Sequence, residues 1–412
     1  MRKVLFIAPF LPYPLDSGGG QAIYNGIVAA IAAGAKVFLT YPDRDNLKEH
    51  RIGLSDKLEG KITFCPFQMN VNRKGDKLLD LIYKSKYAVK KLIKGELANK
   101  AQANPYNEWI QQIMPQCEAY CHFVNDLIKQ YDIDTIQCEM LETLAFGLTL
   151  PKGTNKYFVH HELGFVRKSQ HPIVSKEPLA ASAQLAINKL IEINLLNQFD
   201  TIITLSETDT SKLKKAGVTK TIHTSFATID HLPESNLESL GNTVLSFVGP
   251  EWHPSNKQGL QWFLDNCWEP LLETHPDYRL QIIGTWTKET SQEWSSKYRQ
   301  VSFAGFVQDL ASKIKNTIMI VPITIGSGIR MKILEAGLIG VPVVTTSVGV
   351  EGLPLVNGEN CFIGDTPDAF VQGILALSDQ GLREQFIRTT QHIIEVKYSQ
   401  RALNENREIL YK

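Results

Sequence analysis

Residues 321–342 read VPITIGSGIRMKILEAGLIGVP, and no other stretch of the chain gathers so many groups able to do chemistry. A buried-strand ending runs into a Gly-Ser-Gly turn. The spacing then predicts a helix that opens with Arg330 and Lys332, carries Glu335, and stops at Gly340 before Pro342. Glycine leaves the backbone uncovered, so the amides of Gly326, Ser327, Gly328 and Ile329 can approach an anion, and a helix N-terminus adds about half a positive charge. Cations in a first turn oppose the macrodipole by about 0.3–1 kcal/mol, whereas a diphosphate reverses that sign, with charge-assisted bonds of about 1.5–3 kcal/mol each. Glu335 cannot serve a phosphate, and its acceptors suit a sugar hydroxyl. It also stands i, i+3 from Lys332, the spacing of an ordinary salt bridge. Cations at the mouth and a carboxylate about a turn deeper describe a ribose-diphosphate pocket.

Other constellations are weaker. Gly18-Gly19-Gly20 lies between a first strand and a helix. A dinucleotide fingerprint starting at Gly18, with Asp43 or Asp45 as its ribose acid, would need glycine where Ile23 stands. A flexible turn, or backbone approaching a ligand, is left. His160 and His161 end a strand facing the expected cleft. Phe165 excludes a zinc-protease HExxH pattern, so either histidine is a ligand contact or a hydrogen-bonded structural group, and Arg167 could reach the same cleft. Asp43-Arg44-Asp45 and Asp132-Ile133-Asp134 have D-x-D spacing but fall at a loop or the start of a strand, as turn acids do. The charge of Arg330 and Lys332 removes the need for a metal, and no metal or other cofactor is expected. Residues 73–100 are lysine-rich with interleaved apolar positions. They read either as a helix on an anionic membrane surface or as a domain helix with a lysine-covered outer face.

These groups need a frame. Strand and helix patterns alternate along the chain, the signature of parallel sheets with crossover helices. Strands are expected near 3–8, 36–40, 61–65, 134–138, 156–160 and 201–205, with helices near 20–33, 76–94, 105–130, 178–198 and 206–216. Asn104-Pro105 reads as a helix start, and Pro115 as a kink. Residues 227–242 are polar and aperiodic, as a linker is. Beyond them, strands recur at 243–249, 278–284, 301–305, 318–322 and 341–346, and 366–396 and 399–411 are helical. The expected architecture is α/β, two Rossmann-like doubly wound parallel-sheet domains, 1–227 and 242–396, facing a central cleft.

Length and charge agree. A chain of 412 residues can bury two cores, and 43 basic against 43 acidic residues leaves no field favouring nucleic acid. Cys117 and Cys121, four apart in a predicted helix, read as packed thiols, and six scattered cysteines fit a reducing cytoplasm. The N-terminal apolar run is broken by Pro9, Pro12 and Pro14, so a first strand fits it better than a signal peptide. No stretch approaches the ~18 apolar residues of a membrane span.

Quoted together, PYPLDSGGGQAIYN, VHHELGFVR, SFVGPEWHPSN, AGFVQDL and GSGIRMKILEAGLIGVPVVTT followed by EGL make the chain resemble the retaining GT-B glycosyltransferases of family 4 (glycosyl transferases group 1), nearly end to end. The resemblance implies a nucleotide-sugar donor held by the C-terminal domain, an acceptor (a sugar or lipid-linked glycan) held by the N-terminal one, and a final helix, 397–412, crossing back onto the first domain. It implies metal-independent transfer in polysaccharide, lipid-linked glycan or glycoconjugate synthesis, in the cytoplasm or at the inner membrane face. Residue by residue it implies donor contacts at Gly19 and Gly20, at Gly249, through Val307 near the base, and along Gly326, Ser327, Gly328 and Ile329, with Glu335 on the ribose. Arg330 and Lys332 would meet the leaving group. A histidine would approach the transferred sugar; His161 is favoured over His160 because Glu162 follows it. Beside Gly249, Trp252 reads either as packing beneath the donor site or as part of a plain turn. The family often carries two glutamates separated by seven residues, the second at the place of Glu335; at the first this chain has Ser327. A nucleotide-sugar epimerase of the same fold and a catalytically silent nucleotide-sugar binder stay open as alternatives.

Overall fold

The computed structural model describes residues 1–43, 47–68, 117–170, 178–229 and 243–412. The expected helix at 76–94, the basic stretch 73–100, Asn104-Pro105, Pro115, Asp45 and most of the 227–242 linker lie outside the described residues.

Two parallel sheets organise the rest. In the first, short apolar runs such as KVLFI (Lys3–Ile7) are buried on both faces, as strands flanked by helices on each side must be. Numbered in chain order, its seven strands lie 3-2-1-4-5-6-7: Ile62–Phe64, Lys36–Thr40, Lys3–Ile7, Thr135–Glu139, Asn155–His160, Thr201–Thr204 and Thr221–Thr224. Six strands of the second repeat the pattern as 3-2-1-4-5-6: Val301–Gly305, Arg279–Ile283, Val244–Val248, Ile318–Val321, Val343–Thr345 and Phe362–Ile363. In each sheet the first strand pairs in parallel with both the second and the fourth, for example Val4 with Val37 and Thr135. The connections leave in opposite directions there, opening a crevice at the strands' carboxyl ends.

Most expected strands are present within a residue or two. Thr221–Thr224 and Phe362–Ile363 carry too little alternation to stand out, being only partly buried edge strands. The 366–396 stretch is two helices, Pro367–Ala376 and Gln380–Lys397, because Asp379 caps the second by accepting from Leu382 N.

Each sheet has a core on both faces. Leu5, Phe38, Phe158 and Leu196 share one face of the first and Val4, Phe6, Ile23 and Val159 the other; Phe247, Phe263 and Trp268 share one face of the second and Ile283, Val321 and Ile333 the other. Burial of such side chains contributes ~1.5–3 kcal/mol apiece. Ile329 and Met331 pack against a cluster of each domain, so the loop rich in candidate groups lies on the seam. The last helix, Gln400–Tyr411, lies on the first domain's Gly18–Ala32 helix, with Tyr157 Oη donating to Leu410 O (3.2 Å). All six cysteines are free thiols. Among the described residues no helix is long and apolar enough to cross a membrane, and no three His, Cys, Asp or Glu residues gather as metal ligands would.

Candidate functional site

The second sheet's crevice is walled by two helices. Pro254–Phe263 follows the first strand and Met331–Ile339 follows the fourth. The latter starts where its sequence puts it: Arg330 is the N-cap in extended conformation, and Gly340 closes it with φ 80. Lys332 leans across the crevice and donates to Asn256 Oδ1 at 2.7 Å, its ammonium 4.7 Å from the Phe247 ring centroid. Gly249 makes room for this, since a Cβ there would lie 2.5 Å from the Asn256 amide.

Arg330 is pinned by one nitrogen. Its Nη1 donates to Ser327 O (2.6 Å) and Gly328 O (2.7 Å), while Nε and Nη2 are buried without a partner. Orphaned buried donors of a permanent cation cost more than ordinary unmade bonds, so they mark a place for an anion. Burial lowers the Arg330 pKa from its usual value. It pushes Lys332 down to about 7, helped by the Arg330 charge and opposed by Glu335. Burial raises Glu335 to about 7, against the pull of Lys332 and a hydrogen bond from Gln21 on the first domain's glycine-led helix. Lys332 and Glu335 are thus held ready to change charge beside a permanent Arg330 cation.

Across the seam the first domain grips the same loop. Gln170 Oε1 accepts from Gly326 N (2.5 Å) and Leu163 O accepts from Ser327 Oγ (3.2 Å). Gly328 has φ +78, and a Cβ there would fall 2.5 Å from His161 O, so only glycine lets the domains approach this closely. On the other side a Cβ at Gly18 would meet Met331 Cγ at 2.8 Å. Gly18, Gly19 and Gly20 form the first turn of a helix, not a free loop. Ser17 caps it by accepting from Gly20 N (3.1 Å), which commits that amide.

Strand alternation sends the two histidines to opposite faces. His160 is buried, with Nε2 3.0 Å from Glu192 Oε1, a carboxylate that also accepts from Gly164 N and Phe165 N. His161 keeps some solvent access and places Nε2 2.6 Å from Glu139 Oε2. Arg167 pairs with Glu162 at 3.0 Å. Val307 packs against the second domain's core and Phe306 is exposed. Trp252 does not lie beneath the site; it is 73% exposed. Buried Asp43 is committed to Arg51 (2.5 Å) and Gln68, and Asp132 and Asp134 hold the Lys3 side chain and backbone.

Sequence reasoning missed Asn256, Gln170, Glu139 and His253. His253 Nδ1 bonds Ser255 Oγ (2.7 Å), and burial together with Lys332, Arg167 and Arg330 pushes its pKa down to about 4. Pro254 at the helix start was the available signal, since it marks a second helix N-terminus at the crevice.

Residues 242–380 match the family model described as glycosyl transferases group 1. An uncharacterised 44.6 kDa protein in the cps region of Klebsiella pneumoniae is 27% identical over 272 residues, covering 63% of this chain and 69% of that one. Solved structures align over the whole chain. TarM of S. aureus has TM-score 0.69 at 12% identity, covering 100% and 99% of the two chains. Sucrose-phosphate synthase of Thermosynechococcus elongatus has TM-score 0.70 at 14%, covering 100% and 98%. HepE of Anabaena, solved with UDP, has TM-score 0.64 at 14%, covering 98% and 97%. The fold is GT-B, and with the family match it supports sugar transfer as the chemistry.

Proposed function

We propose that this GT-B chain, whose residues 242–380 match the group 1 glycosyl transferases, moves a sugar from a nucleoside-diphosphate donor to an acceptor hydroxyl with retention of anomeric configuration. The observation that carries it is the pair of partnerless, buried Arg330 donors beside Lys332 at the start of the Met331–Ile339 helix. Departure of a diphosphate from an oxocarbenium-like carbon is the barrier, and cations already in place where charge develops lower it most. Arg330 and Lys332 receive the diphosphate with the amides of Ser327, Gly328 and Ile329. Gly249 and the 305–307 turn line the nucleotide end, Glu335 accepts from the ribose hydroxyls, and Gly19 and Gly20 approach the donor from the opposite wall. His161 contacts the sugar, and His160 supports the strand end from the other face. Closure on Gly328 keeps out water that would hydrolyse the donor. No metal is required, because the Arg330 cation, joined by Lys332 as it takes up a proton with the donor, faces the leaving group. The acceptor, a sugar or lipid-linked glycan, enters from the first domain.

TarM and HepE were solved with UDP, which makes uridine donors the first to test. Release of UDP from a panel of UDP-sugars with sugar acceptors, and the anomeric coupling of the product, test the reading. Arg330→Ala should cut kcat about 10²–10³-fold with folding intact, the scale expected for one preorganised electrostatic group. Unchanged turnover in that variant contradicts the assignment.

A further inference from the structure

A line of hydrogen bonds runs behind His161 to the last helix of the chain. Tyr411 Oη donates to Gln137 Oε1 at 2.6 Å, Gln137 Nε2 donates to Glu139 Oε1 at 2.6 Å, and Glu139 Oε2 lies 2.6 Å from His161 Nε2. Gln137, Glu139 and Tyr411 are buried to within 1% exposure, so no water competes for these bonds. Gln137 and Glu139 are i, i+2 on the Thr135–Glu139 strand, which places both side chains on one face. The directions of the bonds are fixed by what each group can do. The Glu139 carboxylate can only accept, so Gln137 turns its NH₂ towards it, and Gln137 Oε1 is left to take the proton of buried Tyr411. One Glu139 oxygen is then filled, and the other accepts from His161 Nε2–H. Gly26 makes room for the line, since a Cβ there would sit 2.7 Å from Arg407 Nη1. A glycine inside the Gly18–Ala32 helix costs ~1 kcal/mol relative to alanine, and this contact explains it.

We infer that Glu139, Gln137 and Tyr411 are positioning residues that hold His161 as the Nε2–H tautomer and leave Nδ1 to face the sugar. This rests on the reaction proposed above only in the role given to His161; the tautomer itself is a property of the free protein. Glu139→Gln tests the logic sharply. Gln137 donates to the near position of residue 139, so the new amide must put its oxygen there and its NH₂ towards His161. That forces Nε2 to accept and moves the proton to Nδ1. The exchange Gln137→Glu with Glu139→Gln reverses this at constant charge. The residue-137 carboxylate then accepts from Tyr411 and from the residue-139 amide, whose oxygen returns to His161 Nε2–H.

The experiment is ¹⁵N NMR of histidine-labelled, substrate-free protein at a pH where the imidazole is neutral, paired with steady-state kinetics. Expected are Nε2–H in the wild type, Nδ1–H in Glu139→Gln with kcat down about 10²-fold and donor KM within about twofold, and recovery of both readouts in the exchange variant. Tyr411→Phe, which removes a single oxygen, leaves the Glu139 carboxylate to accept from Nε2–H; it should keep the tautomer and, by loosening Gln137 and Glu139, lower kcat about 3- to 10-fold. A merely structural role for Glu139 would not restore kcat in the exchange variant. An unchanged tautomer in folded Glu139→Gln overturns the inference, as does full turnover in that variant once its tautomer has changed; unchanged kcat in Tyr411→Phe overturns the part given to Tyr411. Absence of sugar transfer by the wild type counts against the proposed reaction instead, because the tautomer pattern is read without substrate.

Discussion

Lys332 should take up a proton when donor binds, and the amount follows from its surroundings. Burial and the neighbouring Arg330 hold its pKa near 7 in the free protein, so at pH 8 about nine-tenths of the ammonium is discharged. A diphosphate within hydrogen-bond reach acts in the opposite sense. One negative charge about 4 Å away is worth ~4 kcal/mol at an effective dielectric of about 20, which returns the group towards the ordinary lysine range. The sign is therefore uptake. At pH 8 about 0.9 proton should enter per donor bound, and affinity should weaken about tenfold per pH unit above 7. Glu335, raised to about 7, is already mostly ionised at pH 8 and adds little. Titration calorimetry with an intact nucleoside-diphosphate sugar, in buffers of differing ionisation enthalpy, measures the uptake. Lys332→Met should abolish it. Uptake below about 0.2 proton, or a Kd flat from pH 7 to 9, refutes the placement of Lys332 at the diphosphate.

Two substitution pairs test the seam and the histidines. Gly328 and Gly358 have φ of +78 and +79, but only a Cβ at Gly328 meets another atom, the His161 carbonyl. Alanine at either should cost ~1 kcal/mol in backbone strain, read by urea unfolding, while only Gly328→Ala loses turnover, by at least about tenfold. Equal activity in the two variants contradicts closure through Gly328. His161→Ala should leave unfolding free energy within about 1 kcal/mol and cut kcat at least about 10²-fold; His160→Ala, which removes a buried partner of Glu192, should cost ~2–3 kcal/mol of stability. The reverse pattern would exchange their roles.

The parts legible in the sequence were those written in local chemistry. Gly340 and Pro342 ended the Met331–Ile339 helix on schedule, and alternating patterns placed both sheets, because burial on two faces demands continuous apolar runs. The partners of the site residues were not legible. Lys332 and Asn256 are 76 positions apart and meet only because the doubly wound topology sets their helices on either side of one crevice. His160 and His161 are adjacent in sequence, and their different surroundings come from Glu192 and Glu139 on separate elements. Gly18 to Gly20 looked like a loop because glycine is a poor helix former; Ser17 as N-cap and contact with Met331 outweigh that propensity.

The central claim is that buried cations at the start of the Met331–Ile339 helix receive the diphosphate. A crystal structure of the chain with an intact nucleoside-diphosphate sugar tests it most directly. The expected result has phosphate oxygens about 2.7–3.1 Å from Arg330 Nε and Nη2 and from Lys332 Nζ, with the ribose at Glu335. A diphosphate bound elsewhere, with those two Arg330 nitrogens still without a partner, would contradict it.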